Sequence, residues 1–256
     1  MLQSQIKFRL KAFGWHLSAS AAALMLIVGG LYLGWYHWPG WYLADVTQVM
    51  RMIIGVDLVV GPLLTLVVAS SAKPLRTLAR DVSVIAAVQL IALGYGSVQM
   101  WNGRPLYYAF SEDVLQLVQA YDIEAADAQL GVKENPDLAP HWYKLPRWIW
   151  APLPADETES GKIIASAVTG GSDVIAMPKY YKPWRQGLEA LRSHLKKLEE
   201  LKYFSGNEKK RLEQRMQALG LPADQLNSIA FTGRAHPLLA VLDPRSLEIV
   251  AILRAD

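Results

Sequence analysis

Three long apolar runs occupy most of the first hundred residues. They cover residues 15–36, 52–71 and 82–102, and each has about the 20 residues that a helix needs to cross the hydrocarbon core of a bilayer. Asp57 is the one Asp, Glu, Lys or Arg that they contain. Because only helices and closed barrels satisfy their backbone polar groups in lipid, the pattern predicts three membrane spans.

The first run could instead belong to a cleaved signal peptide, because a basic start followed by an Ala-rich stretch fits both. The tail, residues 1–14, contains Lys7, Arg9 and Lys11 and no acid. However, the run is too long for a signal peptide, and no small-x-small cleavage site follows it before Pro39. We therefore predict an uncleaved first span.

Charge at the ends of the runs predicts the orientation. Residues 72–81 contain Lys73, Arg76 and Arg80 against Asp81, and short loops rich in Lys and Arg stay in the cytoplasm. The basic tail, residues 1–14, is predicted on the same side. The link, residues 37–51, is predicted outside, with Trp and Tyr rings suited to the headgroup layer.

The residues 103–256 contain no further run long enough to span, and they predict one α+β domain on the outer side. Its predicted elements are helices over 112–129 (capped by Ser111), 160–168, 184–203 and 208–219 (capped by Asn207), and strands over 228–234, 237–242 and 247–253. The helices 184–203 and 208–219 are predicted to form a helical hairpin. The last two strands flank a turn at 243–246 and predict a C-terminal antiparallel β-hairpin.

A ring-rich segment lies between the prolines of the outer domain. It contains Trp142, Trp148 and Trp150. Such a segment is either a wedge in the core or an exposed strip for docking a partner.

Composition excludes several classes of function. The net charge is +3, but the outer domain has 19 Lys and Arg against 20 Asp and Glu, which gives no support to nucleic-acid binding. There is no Cys, and the five His lack metal-ligand spacing. We expect no cofactor, no metal and no catalytic function, since no acid pair is distinguished from an ordinary solvated helix face.

Asp57 is the strongest candidate site, because a carboxylate inside a span is costly and must face other helices or water. At a rise of 1.5 Å per residue, Tyr32 and Tyr95 reach a similar depth, and their hydroxyls could bond to it. Three interpretations stay open: a structural polar clamp, a contact with a polar group of a partner's transmembrane helix, or ion or proton conduction.

Four further residues are candidates for helix contacts in the spans. Gly55 and Gly61 allow close approach of another helix. Pro62 predicts a kink whose freed carbonyl needs a donor, and Gln89 could bond across helices. Self-packing of the three spans and binding of a partner helix would use these residues equally well.

Four features of the chain point to a known family: the basic start, the GVDLVVGPLLTLVV sequence of the second run, the KPLRTLARD loop and the C-terminal LLAVLDPRSLEIVAIL segment. Together they resemble the TfpX/TfpZ (FimB-like) family of type IV pilin accessory proteins. The resemblance implies a bacterial inner-membrane protein with a cytoplasmic N-terminus and a periplasmic C-terminus. It also implies an accessory or chaperone role with the major pilin in pilus assembly.

From these observations we expect the spans to hold the transmembrane helix of a pilin, while the Trp142 to Trp150 segment or the final hairpin contacts its periplasmic head. The alternative is a membrane-anchored sensor or scaffold whose periplasmic domain binds a ligand. An enzyme that modifies pilin or cell-wall sugars is a third possibility.

Overall fold

The computed structural model describes residues 2–221 and 226–255, so Met1 and Asp256, the ends of the predicted tail and outer domain, lie outside the described residues. Three helices of the described chain are long and apolar enough to cross a membrane: Gln3–Tyr36, Thr47–Val68 and Leu75–Asn102. We call them the first, second and third long helix. The first consists of α1 (Leu2–Leu31) and a π-helical end (Tyr32–Tyr36).

Each long helix begins several residues before the apolar run that predicted it. The third, Leu75–Asn102, begins within the predicted loop, residues 72–81, and the second begins at Thr47, within the predicted link. The second ends at Val68, not at Ser71. The hydropathy pattern does not detect the polar turns at the starts of these helices, because a helix can continue beyond its apolar residues.

Basic side chains complete the end of the second long helix. Its last carbonyl groups lack partners within the helix. Lys73 Nζ donates to the Val68 carbonyl at 2.9 Å, and Arg9 Nε donates to the Ala69 carbonyl at 2.9 Å. Lys73 also pairs with Asp81 at 2.8 Å. The basic tail and the loop after the second long helix therefore lie at the same end of the helices.

The remaining chain folds around a mixed sheet. The strands of the described residues are β1 (Pro105–Ser111), β2 (Val114–Gln119), β3 (Arg147–Trp150), β4 (Lys182–Pro183), β5 (Asn227–Thr232), β6 (Leu238–Leu242) and β7 (Ile249–Arg254). Their order is β4-β3-β1-β2-β5-β6-β7, and the β1–β3 and β2–β5 pairs are parallel. Strands β1 and β6 are buried throughout, as expected for central strands covered on both faces. Together with its helices, the sheet forms an α+β fold.

Two helix predictions for this region were wrong. Residues 112–119 form a turn and β2, because Val114, Leu115 and Leu117 pair with β1, and sheet pairing overrides local helical spacing. The helix predicted over 184–203 is α-helical only at Leu188–His194, because Lys196 then forms two backbone hydrogen bonds with Ser228 of β5. The predicted helical hairpin is therefore absent from the described residues.

Other helices lie near their predicted positions. The structure has helices over Glu157–Val168 and Gly206–Ala218, and a further one over Ala125–Glu134. The cap of the Gly206–Ala218 helix is Ser205 and not Asn207: Ser205 and Glu208 form a reciprocal capping box.

The prediction gave a C-terminal antiparallel β-hairpin, whereas the structure has a run of three antiparallel strands there. Strand β6 pairs with β7 on one side and with β5 on the other. The sequence signal for the turn between β6 and β7 was local, whereas the attachment of β5 to β2 links residues more than 100 positions apart. The last strands therefore belong to the main sheet.

The chain divides into two compact units. The helical unit contains the residues up to Gly34 and Val46–Asn102, and the sheet unit contains Trp35–Asp45 and the residues from Gly103 onward. The segment Trp35–Asp45 is thus part of the sheet unit. Leu43 is fully buried there, its carbonyl accepts a hydrogen bond from the Arg234 amide at 2.7 Å, and the Arg254 guanidinium lies 4.4 Å from the centre of the Tyr42 ring.

Candidate functional site

The second long helix is interrupted in its middle by a π-helical segment, Gly55–Val60, and Pro62 follows at the start of the next α-helical segment, Gly61–Val68. A π-helical turn bonds a residue to the carbonyl five positions earlier. For residue 62 that carbonyl belongs to Asp57, and proline has no N–H to donate. The interruption therefore frees the Asp57 carbonyl inside an apolar helix.

Gln89 of the third long helix supplies the missing donor. Its Nε2 donates to the Asp57 carbonyl at 3.0 Å and to Ser20 Oγ at 3.3 Å. Gly61 makes this approach possible, because a Cβ at that position would lie 2.1 Å from the Gln89 amide nitrogen. Gly61, Pro62 and Gln89 thus serve the internal packing of the helical unit.

His16 of the first long helix joins this group, although its position in the sequence shows no metal-ligand spacing. Its Nε2 lies 2.5 Å from Gln89 Oε1, and its Nδ1 lies 2.5 Å from Thr65 Oγ1. In these contacts Nε2 donates to the Gln89 carbonyl oxygen, and Nδ1 shares a hydrogen bond with the Thr65 hydroxyl. His16, Ser20, Thr65 and Gln89 therefore satisfy one another, and we call them the polar clamp.

The carboxyl group of Asp57 is different. Asp57 is 3% exposed, and its Oδ2 has no hydrogen-bond partner among the described residues. A buried polar atom without a partner costs about 1–3 kcal/mol, and more when it is charged. Gln89 of the clamp bonds the Asp57 backbone carbonyl, and the carboxyl Oδ2 is left without a partner among the described residues.

A groove of about 480 Å³ lies beside this carboxyl group. Its walls are residues of the first and third long helices, and Asp57 and Thr65 contribute from the second. The lining is Ala12, Trp15, His16, Ala19, Ser20, Ala23, Asp57, Thr65, Val82, Ala86, Gln89, Leu90 and Leu93. The walls are rich in Ala, whose small side chain lets another helix approach closely.

The other predicted residues of the helices lie outside this groove. Tyr95 bonds through its hydroxyl to Gln99 Nε2 at 2.8 Å, and not to Asp57, because both residues face outward one turn apart on the third long helix. Tyr32 is 41% exposed, and a Cβ on Gly55 would meet nothing within 4 Å.

In the sheet unit, the ring-rich segment that contains Trp142, Trp148 and Trp150 is divided between the core and the surface. Trp148 and Trp150 belong to β3, and the Trp148 ring packs against Tyr108 and Phe231 at centroid distances of 5.0 and 5.6 Å. Burial raises the pKa of Tyr108 above its usual value, so its hydroxyl stays neutral. Trp142, in contrast, is 68% exposed in the loop before β3. The Trp148 side chain of the ring-rich segment therefore packs in the core, whereas the Trp142 side chain lies on the surface.

A second cavity of about 500 Å³ lies in the sheet unit, and we call it the tryptophan cleft. It is lined by Trp148, Trp184, Arg185, Leu188, Ser246, Leu247, Glu248 and Ile249. Arg185 and Glu248 are exposed to solvent. In the described residues, no group of three His, Asp or Glu side chains is arranged to hold a metal ion.

Comparison with known proteins found relatives that are named fimbrial assembly proteins. The chain is 25% identical over 201 residues to the "Fimbrial assembly protein, serogroup I" of Dichelobacter nodosus, which covers 77% of this chain and 76% of that protein. The serogroup E1 protein of the same organism matches with the same identity and coverage. The protein of serogroups C1 and C2 is 28% identical over 123 residues, 48% of this chain and 94% of that protein. No protein-family model and no solved structure matches the chain.

Proposed function

We propose that this protein is an inner-membrane accessory factor of type IV pilus biogenesis, and that its groove holds the transmembrane helix of the major pilin. The relatives named fimbrial assembly proteins support the role in pilus biogenesis. The resemblance to the pilin accessory proteins supports the pilin as the partner. The groove supplies the physical reason why a transmembrane helix should bind.

One observation carries the proposal: the buried, unpartnered Oδ2 of Asp57 beside an Ala-lined groove. In lipid there is no water to solvate such an oxygen. A partner helix that places a hydrogen-bond donor in the groove would remove this cost, which is the main way in which polar groups stabilise helix association in membranes. The Ala residues give room for its backbone.

Charge favours a cytoplasmic position for the tail and the loop after the second long helix. Lys73 and Arg9 bond at that end of the second long helix, and basic residues are retained in the cytoplasm. With three crossings, the chain from Gly103 onward would lie in the periplasm. A pilin with a membrane helix and a periplasmic head would have both parts within reach of this protein.

The matched pair Ala86 and Ala87 tests the groove. Ala86 lines it, whereas Ala87 is exposed on the third long helix and does not. A photoreactive amino acid at position 86, in cells that express the full chain and the pilin, should form a covalent adduct with the pilin. The same amino acid at position 87 should form little or none.

The variant Asp57→Asn sharpens this test. It keeps the size of the side chain but removes the carboxylate, so we expect at least a tenfold weaker adduct from position 86, which corresponds to about 1.4 kcal/mol of association free energy. Surface pili should decrease in parallel. Equal adducts from positions 86 and 87, or adducts to lipid alone from position 86, would refute pilin binding in the groove.

A further inference from the structure

A loop of the sheet unit, residues 141–145, exposes apolar side chains that its own unit does not cover. Trp142 is 68% exposed, Tyr143 is 58% exposed and Leu145 is 54% exposed. Its rings pack on one another: the centroids of His141 and Tyr143 are 5.4 Å apart, and those of Trp142 and Tyr143 are 5.7 Å apart. An exposed cluster of this kind indicates an interaction surface.

A hydrogen bond fixes where this loop lies in the sheet unit. The Trp35 indole Nε1 donates to the Lys144 carbonyl at 3.0 Å, and both residues belong to the sheet unit. Trp35 is also the next-to-last residue of the first long helix, and the second begins at Thr47. If these helices cross the membrane, the short segment between them must run at the membrane surface, and the loop is bonded to it.

We propose that the loop 141–145 inserts into the headgroup layer of the outer leaflet and anchors the sheet unit to the bilayer. This inference uses only one part of the proposed function, the membrane crossing of the long helices, and it does not need a pilin. The ligand is a lipid surface. Trp and Tyr are the residues that prefer this layer, because their rings are apolar and their N–H and O–H groups still find polar partners there.

The composition of the loop favours lipid over a protein partner. Leu145 adds aliphatic area next to the rings. The loop contains Lys144 and no acid, so it carries no negative charge to be repelled by lipid phosphates. The sheet unit would then be held close to the membrane.

The absence of Cys allows a direct test, because a single introduced Cys can be labelled without background. A nitroxide label is attached to the Cys of the full-length variant Trp142→Cys, which is placed in lipid nanodiscs. The collision rates of this label with oxygen, which dissolves in lipid, and with a nickel chelate, which stays in water, are then measured. We expect several-fold fewer nickel collisions than at Val168→Cys, a control position in the same unit that is 81% exposed. Oxygen collisions should be higher than at the control.

A label at Val88→Cys, on the third long helix and 58% exposed, separates the possible failures. If the label at position 88 is shielded from nickel while the labels at positions 142 and 168 are equally accessible to it, the loop lies in water. The anchoring proposal is then wrong, and the membrane crossing of the long helices stands. If Val88 is accessible as well, the membrane crossing itself is wrong. Shielding of Trp142 only after pilin is added would make the loop a protein contact and would also overturn the proposal.

A second variant tests the bond to Trp35. Trp35→Phe keeps a ring but removes the donor to Lys144, so the label at position 142 should move faster and meet nickel more often. If Trp35→Phe leaves both the nickel collisions and the mobility of the label at position 142 unchanged, the rings alone hold the loop. The proposed positioning role of Trp35 is then wrong.

Discussion

The groove of the helical unit and the tryptophan cleft of the sheet unit have nearly equal volumes, about 480 and 500 Å³, but differ in how their charged groups are placed. In the cleft, Arg185 and Glu248 are exposed, so water can solvate them. In the groove, the Asp57 carboxyl group is buried, and its Oδ2 has no partner among the described residues. The charged groups of the cleft are therefore solvated, whereas the groove contains a buried carboxyl oxygen without a partner among the described residues.

The surroundings of the two cavities reinforce this difference. The cleft borders a densely packed aromatic group in which Trp148 contacts Tyr108, Phe231 and Trp184. The groove borders two helices that each pack on the second long helix more than on each other. This difference supports the proposal that the groove binds a partner, whereas the residues around the cleft stabilise the fold. Three variants test this assignment.

The largest effect on stability is expected from Trp148→Ala. This change removes a half-buried ring that contacts three other rings, and large-to-small changes of aromatic core residues cost about 3–5 kcal/mol. For a unit of this size, we expect a decrease of about 6–20 °C in the melting temperature of the sheet unit. Thermal unfolding of the full chain in nanodiscs, followed by near-ultraviolet circular dichroism, measures it.

The control for this variant is Trp142→Ala, which removes the same side chain from an exposed loop and should leave the melting temperature nearly unchanged. If Trp148→Ala instead leaves the fold intact but abolishes the pilin adduct at position 86, the cleft would be a partner site. The proposed division between groove and cleft would then be wrong.

A smaller effect is expected from Gln89→Leu in the polar clamp. This change leaves the Asp57 carbonyl and His16 Nε2 without their partner, and buried groups that lose a hydrogen bond cost about 1–3 kcal/mol. Gln99→Leu is the matched control on the same helix, because Gln99 bonds only to the exposed Tyr95 hydroxyl among the described contacts. Unfolding of the helical unit by a denaturing detergent should occur earlier for Gln89→Leu than for Gln99→Leu, and equal transitions would show that the clamp contributes nothing.

The clamp also shows how far the sequence could predict the site. Asp57, Gly61, Pro62 and Gln89 were singled out because each is unusual in an apolar helix. His16 was missed, since its contacts with Thr65 and Gln89 join residues 49 and 73 positions away. A signal was present: His16, Ala19, Ser20 and Ala23 recur at the spacing of one helix face.

The fold was predictable where the signal was local and strong. Each of the three apolar runs lies largely within a long helix, because an apolar run of about 20 residues is a stronger signal for a helix than the preferences of its individual residues. Strand β2 was mistaken for a helix because Val114, Leu117 and Val118 also fit helical spacing. What decides between the two is pairing with β1 across a turn at Glu112, whose φ is 51°, and a propensity argument does not contain that information.

The smallest effect on the stability of the protein alone is expected from Asp57→Asn, and this makes it the most selective variant. The carboxyl Oδ2 bonds to nothing among the described residues, and the clamp contacts the backbone of residue 57, which the change leaves in place. Without a pilin, the change should therefore shift the unfolding free energy by less than about 1 kcal/mol, or should stabilise the helical unit, because it removes a buried acidic group whose Oδ2 has no partner among the described residues. With the pilin present, the adduct from position 86 should still fall at least tenfold. A loss of more than about 2 kcal/mol in the protein alone would identify Asp57 as a structural residue of the clamp, and the argument that its carboxyl group awaits a partner would fail.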